Sequence, residues 1–361
     1  MRNNKIKIAI VGVGNCASAL TQGIHFSKEN PDVISGVLGL KDIGGYKLSD
    51  IEIVAAFDVN MEKVGKDVAD AIFVKPNCAK KLTQVPKISV RVNKGPVMDG
   101  VAEEMERHIP ISESQNPANV KEVLRESGAE IIVNFLPSGS EEATRFYAEA
   151  ALESGLGVVN AIPVMVANDK TLREKAEQHN APIIGDDIKS QIGATIIHRA
   201  VGDLFPMRGA ILDRTIQLDW GGDMDFANLM SSGRYNQGKR KTKTESVVSR
   251  HPNKNKMDVQ ISAVDYIPFL GNTKEAYFRL EGRIFGNMPV SLHMFMQVED
   301  SYNSAGIVSD AIRCAKIALD RKIGGVLVSP SSFFCKLPIE QYADVEARKA
   351  VDEFIDGKRE R

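Results

Sequence analysis

Two lysines four residues apart, Lys239 and Lys243, lie in the basic segment KRKTK. On a helix, residues at this spacing share one face, so the two ammonium groups would lie close together. Two such groups held together can bind a phosphate, and each lowers the pKa of the other. The alternative interpretation is a solvated basic loop, which is typical of charged segments of this kind.

Two acidic segments follow predicted strands. In GDDIKS, the adjacent carboxylates of Asp186 and Asp187 precede Lys189, which is typical of a charge-balanced site where a strand ends and a helix opens. The alternative is a helix-capping acid beside a surface lysine. In WGGDMDF, glycines precede Asp225 directly after another predicted strand.

Three further charged residues lie beside the edges of predicted elements. They are Lys274 in GNTKEAYF, Asp300 in VEDSYNSAG and Lys336 in SFFCKLP. Each of them alone is more typical of a protein surface than of a catalytic site. Whether they act together therefore depends on the elements that position them.

An apolar run at residues 6–11 predicts a buried parallel strand, and Gly12, Gly14 and Ala17 follow it at the spacing G-x-G-x-x-A. Gly12 permits a tight turn, Gly14 allows a pyrophosphate to approach the backbone, and Ala17 allows close packing of helix on strand. The N-terminus of the next helix would present free N–H groups to the phosphates. The alternative is a glycine turn in an ordinary α/β protein.

A second strand, predicted at residues 51–57, ends at Asp58. An acid at this position can accept hydrogen bonds from the ribose hydroxyls of an adenosine, and it disfavours a 2′-phosphate. Asp58 lies farther from the glycines than the usual spacing of about 20 residues, which an irregular insertion over residues 27–49 explains. The alternative is a turn residue that opens a helix predicted at residues 61–73.

Predicted strands and helices then alternate along the chain. Further strands are predicted at residues 88–92, 130–135, 158–161 and 182–185, and helices at residues 116–126, 141–154 and 169–178, the second of them capped by Ser140. This order predicts an α/β fold with a Rossmann-like, doubly wound parallel sheet. The loops expected to line a cofactor cleft are residues 12–17, 58–60, 136–140, 161–164 and 186–191.

The pattern changes near residue 210. Antiparallel strands are predicted at residues 215–220, 257–263, 276–285 and 290–299, and a long helix at residues 303–320. The last strand alternates apolar and polar residues, which indicates a sheet that covers a site or joins subunits. We expect a cofactor-binding domain at 1–205, a catalytic and oligomerisation α+β domain built on this antiparallel sheet at 206–302, and a C-terminal return to the first domain at 303–361.

The composition excludes several classes of protein. The 361 residues carry a net charge of −1, which gives no indication of nucleic acid or of an acidic membrane surface as a partner. The four cysteines are scattered and fit free thiols in a reducing compartment. No apolar run approaches the roughly 20 residues that span a bilayer. We expect a soluble cytoplasmic protein.

Taken together, these motifs resemble those of the inositol-phosphate synthases of the shorter bacterial and archaeal type, over about residues 5–341. The segments that carry the resemblance are IVGVGNCASAL, AAFDV, NFLPSGSEEA, GDDIKSQIGAT, LDRTIQLDWGGDMDF, YFRLEGR and VEDSYNSAG. As a set they are far more specific than the glycine fingerprint alone.

The resemblance implies an NAD-dependent isomerase that cyclises glucose 6-phosphate, and it favours a homotetramer. Members of the family oxidise the open-chain sugar at C5 and form an enolate at C6. The enolate then attacks the C1 aldehyde, and the new ring is reduced. Ammonium groups in a closed site would stabilise the enolate and alkoxide oxygens.

The resemblance also implies roles for individual residues. The expected catalytic residues, which bind the phosphate, hold the oxyanions or relay protons, are Lys239, Lys243, Lys274, Lys336, Asp187 and Asp300. The expected cofactor contacts are Gly12, Gly14, Asn15, Cys16, Ala17, Asp58, Asp70, Ser127, Tyr147, Ser190, Asp225 and Lys239. No cluster of His and Cys predicts a metal, so a cation near the phosphate is left open.

Two other functions fit part of the pattern. A net dehydrogenase or reductase would release NADH stoichiometrically, whereas a synthase leaves no lasting change in absorbance at 340 nm. A non-enzymatic NAD sensor or scaffold would bind the cofactor but would need no lysine cluster.

Overall fold

The computed structural model describes residues 5–33, 36–111, 115–231 and 257–361. Its strands are, in chain order, β1 (Ile6–Val11), β2 (Asp42–Ile43), β3 (Tyr46–Lys47), β4 (Ile51–Asp58), β5 (Val92–Lys94), β6 (Ile131–Asn134), β7 (Gly157–Asn160), β8 (Pro182–Ile184), β9 (Ile211–Gly221), β10 (Asp258–Tyr266), β11 (Thr273–Arg283), β12 (Pro289–Glu299) and β13 (Gly325–Val326).

The α-helices in the same ranges are α1 (Asn15–Glu29), α2 (Val68–Ala71), α3 (Val120–Ser127), α4 (Glu141–Glu153), α5 (Lys170–Gln178), α6 (Ala194–Met207), α7 (Met224–Ser231), α8 (Asp300–Asp320), α9 (Val328–Phe334) and α10 (Asp344–Ile355). None of these helices is both long enough and apolar enough to cross a membrane.

Seven strands form one parallel sheet in the order β13-β8-β7-β6-β1-β4-β5. Alternate residues of the central strand β1 enter two apolar clusters on opposite faces of this sheet. Ile8 and Ile10 pack in a cluster that includes α1 and α8, whereas Ala9 and Val11 pack with α3 and α4. Helices therefore cover both faces, and the prediction of a doubly wound parallel sheet is confirmed.

A second sheet has the strand order β10-β9-β11-β12. The pairs β9–β11 and β11–β12 are antiparallel, as predicted. Strand β10 runs parallel to β9, so the antiparallel prediction for residues 257–263 is wrong and this sheet is mixed. The chain between Gly221 and Asp258 is long enough to cross over and re-enter the sheet from the same end, which a parallel pair requires.

Helix α6 covers one face of the mixed sheet, which we call the inner face. Phe205 of α6 packs there in one apolar cluster with Phe278 of β11, and Leu292 and Met294 of β12 lie against the same cluster. On the opposite, outer face, Phe295 is 61% exposed. The alternation predicted for residues 290–299 is therefore confirmed.

Helix α8 begins directly after β12 and packs against α1 and against strands of the parallel sheet. The chain then adds β13 to the edge of that sheet, beside β8. The assignment of the C-terminal part as a return to the first domain stays a prediction. The domain boundaries at residues 205 and 302 stay predictions.

The helix predicted at residues 61–73 is wrong for most of its length, because only Val68–Ala71 is helical. The backbone of residues 66–68 pairs instead with that of residues 90–92. The Val68 N–H donates to Val90 O at 2.9 Å, and the Val92 N–H donates to Lys66 O at 2.9 Å. These non-local bonds also explain why β5 begins at residue 92 rather than at 88. Pairing with a distant segment overrides the local helical pattern.

Helix α4 lies where it was predicted, with Ser140 at its N-cap, but the Ser140 side chain makes no capping hydrogen bond. Asp99 supplies the cap from another segment, because its carboxylate accepts hydrogen bonds from the N–H groups of Glu142 and Ala143 at 2.8 and 2.9 Å. A carboxylate suits this helix end, where N–H groups lack partners within the helix.

A buried lysine joins three segments beneath the carboxyl end of β8. The Lys189 ammonium donates to Ser332 O at 2.9 Å and lies 3.5 Å from a carboxylate oxygen of Asp344. Arg199 of α6 lies 3.4 Å from the same carboxylate oxygen. Burial, and then the positive charge of Arg199, lower the pKa of Lys189 to about 8.

We predict that Lys189 makes stability depend on pH. Between its folded pKa of about 8 and its unfolded value of about 10.4, the unfolded chain binds a proton that the folded chain has lost. The free energy of unfolding therefore rises with pH by about 1.4 kcal/mol per pH unit in this window. In urea denaturation, the wild type should gain about 2 kcal/mol relative to Lys189→Met between pH 8 and pH 10.

The matched control is Lys170→Met, which removes an exposed lysine from α5. A difference between the wild type and Lys189→Met that stays constant over this pH range would contradict the assignment.

Candidate active site

A cleft lies at the carboxyl ends of the central strands of the parallel sheet. The five loops predicted to line it all contribute residues, and their members in the cleft include Gly12, Asp58, Ser138, Ile162 and Asp187. The starts of α7 and α8, together with the start of β11, close the cleft from the side of the mixed sheet. Parallel strands bring loops that are far apart in sequence to one edge, as the pattern required.

The glycine turn at the end of β1 has the properties that its spacing predicted. Gly12 has φ +87°, and a Cβ there would lie 2.8 Å from Phe135 O. A Cβ on Gly14 would meet no described atom within 4 Å, so the space above this residue is open to a ligand. Ala17 does not line the cleft, because it is fully buried where α1 packs on the sheet.

Asn15 and Cys16 begin α1 and line the cleft. The Asn15 side-chain oxygen accepts hydrogen bonds from the N–H groups of Cys78 and Ala79 at 2.7 and 3.0 Å, so it fixes a neighbouring segment. The Ser304 hydroxyl donates to Cys16 Sγ at 3.4 Å. Burial raises the pKa of Cys16 to about 12, so its thiol stays protonated near neutral pH and is no nucleophile.

Asp58 lies at the end of β4 and lines the cleft, and it also organises the turn. One carboxylate oxygen accepts from the Val13 N–H at 2.8 Å, and the other accepts from the N–H groups of Val59 and Asn60 at 2.8 and 2.9 Å. These bonds support the turn interpretation, and its place in the cleft is compatible with a ribose contact as well.

Lys63 is a cleft residue that the sequence did not reveal, because it lay in a segment predicted to be an ordinary helix. Its ammonium donates to Val13 O and to the Asn77 side chain, both at 2.9 Å, and lies 4.0 Å from the Asp58 carboxylate. Burial lowers the pKa of Lys63. This lysine ties the glycine turn to the end of β4.

The two adjacent acids after β8 have different surroundings. Asp186 is fully buried and accepts hydrogen bonds from Asn160 Nδ2 at 2.8 Å and from the Ala167 N–H at 3.0 Å, so it holds the loop after β7. Burial raises its pKa. Asp187 lines the cleft with φ +59°, in the left-handed region that Asp tolerates better than most residues.

Asp187 forms an ion pair with Lys336, whose ammonium lies 2.8 Å from its Oδ1. The backbones of the two residues are also linked, because the Lys336 N–H donates to Asp187 O at 2.6 Å. The prediction that the GDDIKS segment opens a helix is wrong, because α6 begins only at Ala194. The segment is instead a loop, and Ser190 within it lines the cleft.

Lys274 lies in β11, and its ammonium is 3.9 Å from Oδ1 of Asp300, the first residue of α8. The same ammonium lies 5.7 Å from the centre of the Phe226 ring, a cation–π distance. Burial alone would lower the pKa of Lys274, but the carboxylates of Asp300 and, after it, Asp219 raise it well above its ordinary value. Lys274 therefore carries a positive charge throughout the neutral pH range.

The start of α7 is fixed to the loop after β6. The Asp223 carboxylate accepts from the N–H groups of Asp225 and Phe226 at 3.0 and 3.2 Å, and the Ser138 hydroxyl donates to Asp225 Oδ1 at 3.2 Å. Both acids line the cleft. The sequence named Asp225 as a site residue but did not single out Asp223, although both lie in the same glycine–acid segment.

The remaining predicted residues are distributed as follows. Tyr147 lines the cleft and packs on Phe57 with ring centres 5.5 Å apart, and burial raises its pKa. Asp70 is exposed on α2 and does not line the cleft. Ser127 does not line it either, because it ends α3 just before β6 begins, at the opposite ends of the strands, where its hydroxyl donates to Leu124 O. Lys239 and Lys243 lie outside the described residues.

Within the described ranges, no group of three or more His, Cys, Asp and Glu side chains is arranged to hold a metal ion. Two lysine–aspartate pairs, Lys336–Asp187 and Lys274–Asp300, are among the charged groups that line the cleft, which also include Lys63, Asp58, Asp223 and Asp225. They face the same space as the open glycine turn. The arrangement can therefore hold an anionic ligand and stabilise negative charge that develops on oxygen.

Comparisons with known proteins agree with this chemistry. The sequence profile of a family described as myo-inositol-1-phosphate synthase matches residues 193–301. An inositol-3-phosphate synthase of Mycolicibacterium smegmatis is 44% identical, with 98% of each chain covered. An inositol-3-phosphate synthase of Corynebacterium glutamicum is 44% identical over 98% of this chain and 99% of its own.

A solved structure from Thermotoga maritima, described as a myo-inositol-1-phosphate synthase-related protein, superposes with a TM-score of 0.81. It is 22% identical, and 98% of each chain is covered. At this level of identity the match shows a shared fold.

Proposed function

The chain belongs to the inositol-3-phosphate synthase family, and we propose that the two lysine–aspartate pairs of the cleft carry the chemistry of that family. The protein is an NAD-dependent isomerase that cyclises glucose 6-phosphate to an inositol phosphate without net oxidation. The observation that supports the proposed residues is the convergence of Lys336–Asp187 and Lys274–Asp300 on the space above the glycine turn.

The cleft fits a dinucleotide. The backbone above Gly14 is open, and the first turn of α1 is uncharged, so its N–H groups are available to a pyrophosphate. Asp58, at the end of β4 in the same cleft, is the proposed acceptor for the ribose hydroxyls. NAD⁺ held by the glycine turn and by Asp58 would supply reversible hydride transfer at C5 of the sugar, and the residues of the chain would bind the sugar and stabilise its charged oxygens.

The lysines supply positive charge where oxygen becomes negative. Oxidation at C5 acidifies the neighbouring C6 proton, and its removal leaves an enolate whose oxygen needs a hydrogen-bond donor. Lys274 suits this role, because its raised pKa keeps it an ammonium rather than a base. Asp300 and Asp187 orient the Lys274 and Lys336 ammonium groups toward the sugar oxygens. Lys239 and Lys243, which lie outside the described residues, stay predicted members of the set of four lysines that binds the phosphate and holds the oxyanions.

We predict that Lys274→Ala loses at least about a hundredfold in kcat, because one preorganised donor to an oxyanion is worth about that much. The variant should still fold and bind NAD. The assay incubates purified protein with glucose 6-phosphate and NAD⁺ and measures periodate-sensitive inositol phosphate. Lys322→Ala, at an exposed lysine, is the matched control. Activity of Lys274→Ala near that of the control would remove Lys274 from the mechanism.

We also propose that the protein is a homotetramer that associates through the outer face of the mixed sheet. Phe295 lies exposed on this face, with its ring centre 6.0 Å from that of Trp220. Neighbouring apolar side chains on β9, Ile216 and Leu218, are only half-buried in the single chain. These four side chains form an apolar patch on an otherwise polar face, and we propose that this patch is the site of association.

Light scattering should give a mass of four chains, and Phe295→Lys should reduce it. A single-chain mass for the wild type would contradict the proposed association. A cytoplasmic location stays a prediction.

A further inference from the structure

A buried chain of polar side chains runs beneath the mixed sheet, outside the cleft lining. His198 of α6 and Thr215, Gln217 and Asp219 of β9 are each at most 2% exposed. His198 Nε2 lies 2.6 Å from the Thr215 hydroxyl, and His198 Nδ1 lies 2.9 Å from Gln217 Oε1. Gln217 Nε2 lies 2.9 and 3.1 Å from the two carboxylate oxygens of Asp219.

The chemistry of these groups fixes the direction of their hydrogen bonds. A carboxylate only accepts, so the Gln217 amide donates to Asp219 and its oxygen must accept from His198 Nδ1. Burial lowers the pKa of His198, so the ring is neutral with its proton on Nδ1, as assigned from the network. The Thr215 hydroxyl lies 2.6 Å from Nε2 and also donates to Arg279 O at 3.2 Å. The His198 Nδ1–H and the Gln217 amide therefore both donate in the direction of the Asp219 carboxylate.

Asp219 and Lys274 are neighbours on the inner face of the mixed sheet. In the antiparallel pair β9–β11, Lys274 lies opposite Gly221, and Asp219 lies opposite Ala276. The two side chains are therefore diagonal neighbours on one face, a position from which long side chains interact. The charge of the Asp300 carboxylate, and after it that of the Asp219 carboxylate, raises the pKa of Lys274.

We propose that Asp219, whose two carboxylate oxygens accept from the Gln217 amide, is a positioning residue that holds the Lys274 ammonium at the edge of the cleft. This inference rests on the proposed role of Lys274 in the synthase reaction. Asp300 is 26% exposed and faces the cleft, whereas Asp219 has no exposed surface. Asp219 is thus a countercharge that does not depend on what occupies the cleft.

The test is a kinetic comparison of carboxylate-to-amide variants on the same strand. Asp219→Asn should lower kcat at least about tenfold and leave the KM for glucose 6-phosphate within about twofold, because the lost charge acts on Lys274 and not on binding. Asp213→Asn changes a half-exposed carboxylate of β9 that pairs with Arg283, and it should leave both parameters unchanged. Wild-type kcat for a folded Asp219→Asn would overturn the inference.

A second variant covers the case in which Asp219→Asn fails to fold. Gln217→Met removes the amide donors but leaves the carboxylate, and it should give a smaller fall in kcat. A folded Gln217→Met with wild-type kinetics would contradict the inference, because it would show that the hydrogen bonds from Gln217 are not needed to hold the Asp219 carboxylate beside Lys274.

A double-mutant cycle separates a role through Lys274 from a merely structural one. Asp219→Asn should cause little further loss in a Lys274→Ala background, because its target is gone. An equal loss in both backgrounds would overturn the inference and leave the role of Lys274 intact. Wild-type activity of Lys274→Ala would instead remove the proposed function of this lysine, and the inference with it.

The pH profile gives an independent readout. The carboxylates that face Lys274 come from α8 (Asp300), β9 (Asp219) and the segment that opens α7 (Asp225 and Asp223). Loss of one of them lowers the pKa of Lys274, so kcat of Asp219→Asn should fall at a lower alkaline pH than kcat of the wild type. Coincident alkaline limbs would contradict the proposed contact between the charges.

Discussion

Carboxylates that face a buried ammonium group stabilise its charge, and the cleft of this protein depends on that interaction. Burial lowers the pKa of Lys274, and the carboxylates of Asp300 and Asp219 raise it above its ordinary value. Lys336 lies 2.8 Å from Asp187. In the proposed mechanism these ammonium groups present fixed positive charge to a developing enolate, which is how preorganised sites stabilise a transition state.

The fold brings these groups together from distant parts of the sequence. Asp187 follows the end of a parallel strand, whereas Lys274 lies on the mixed sheet, and Asp300 begins the helix that joins the two sheets. Helix α8 packs against α1, whose N-terminus borders the glycine turn. The cofactor side and the lysine side of the cleft are therefore linked through one pair of packed helices.

Local patterns predicted the features that local chemistry determines. The apolar run of β1 and the spacing of Gly12 and Gly14 are contained in a few residues, and the structure has them as expected. The short α2 and the parallel β10 were missed, because pairing with residues far along the chain decides both.

Asp219 was missed as well, since its place beside Lys274 depends on the register of β9 against β11. Resemblance identified Lys274 and Lys336, but it also suggested Asp70, which lies away from the cleft.

The most direct test of the account is a crystal structure of the protein with NAD and glucitol 6-phosphate, an open-chain analogue that lacks the reactive aldehyde. We expect the ammonium groups of Lys274 and Lys336 within about 3 Å of sugar oxygens, beside the nicotinamide ring. Ammonium groups that point away from the sugar, with its oxygens held by other residues or by water alone, would contradict the central claim.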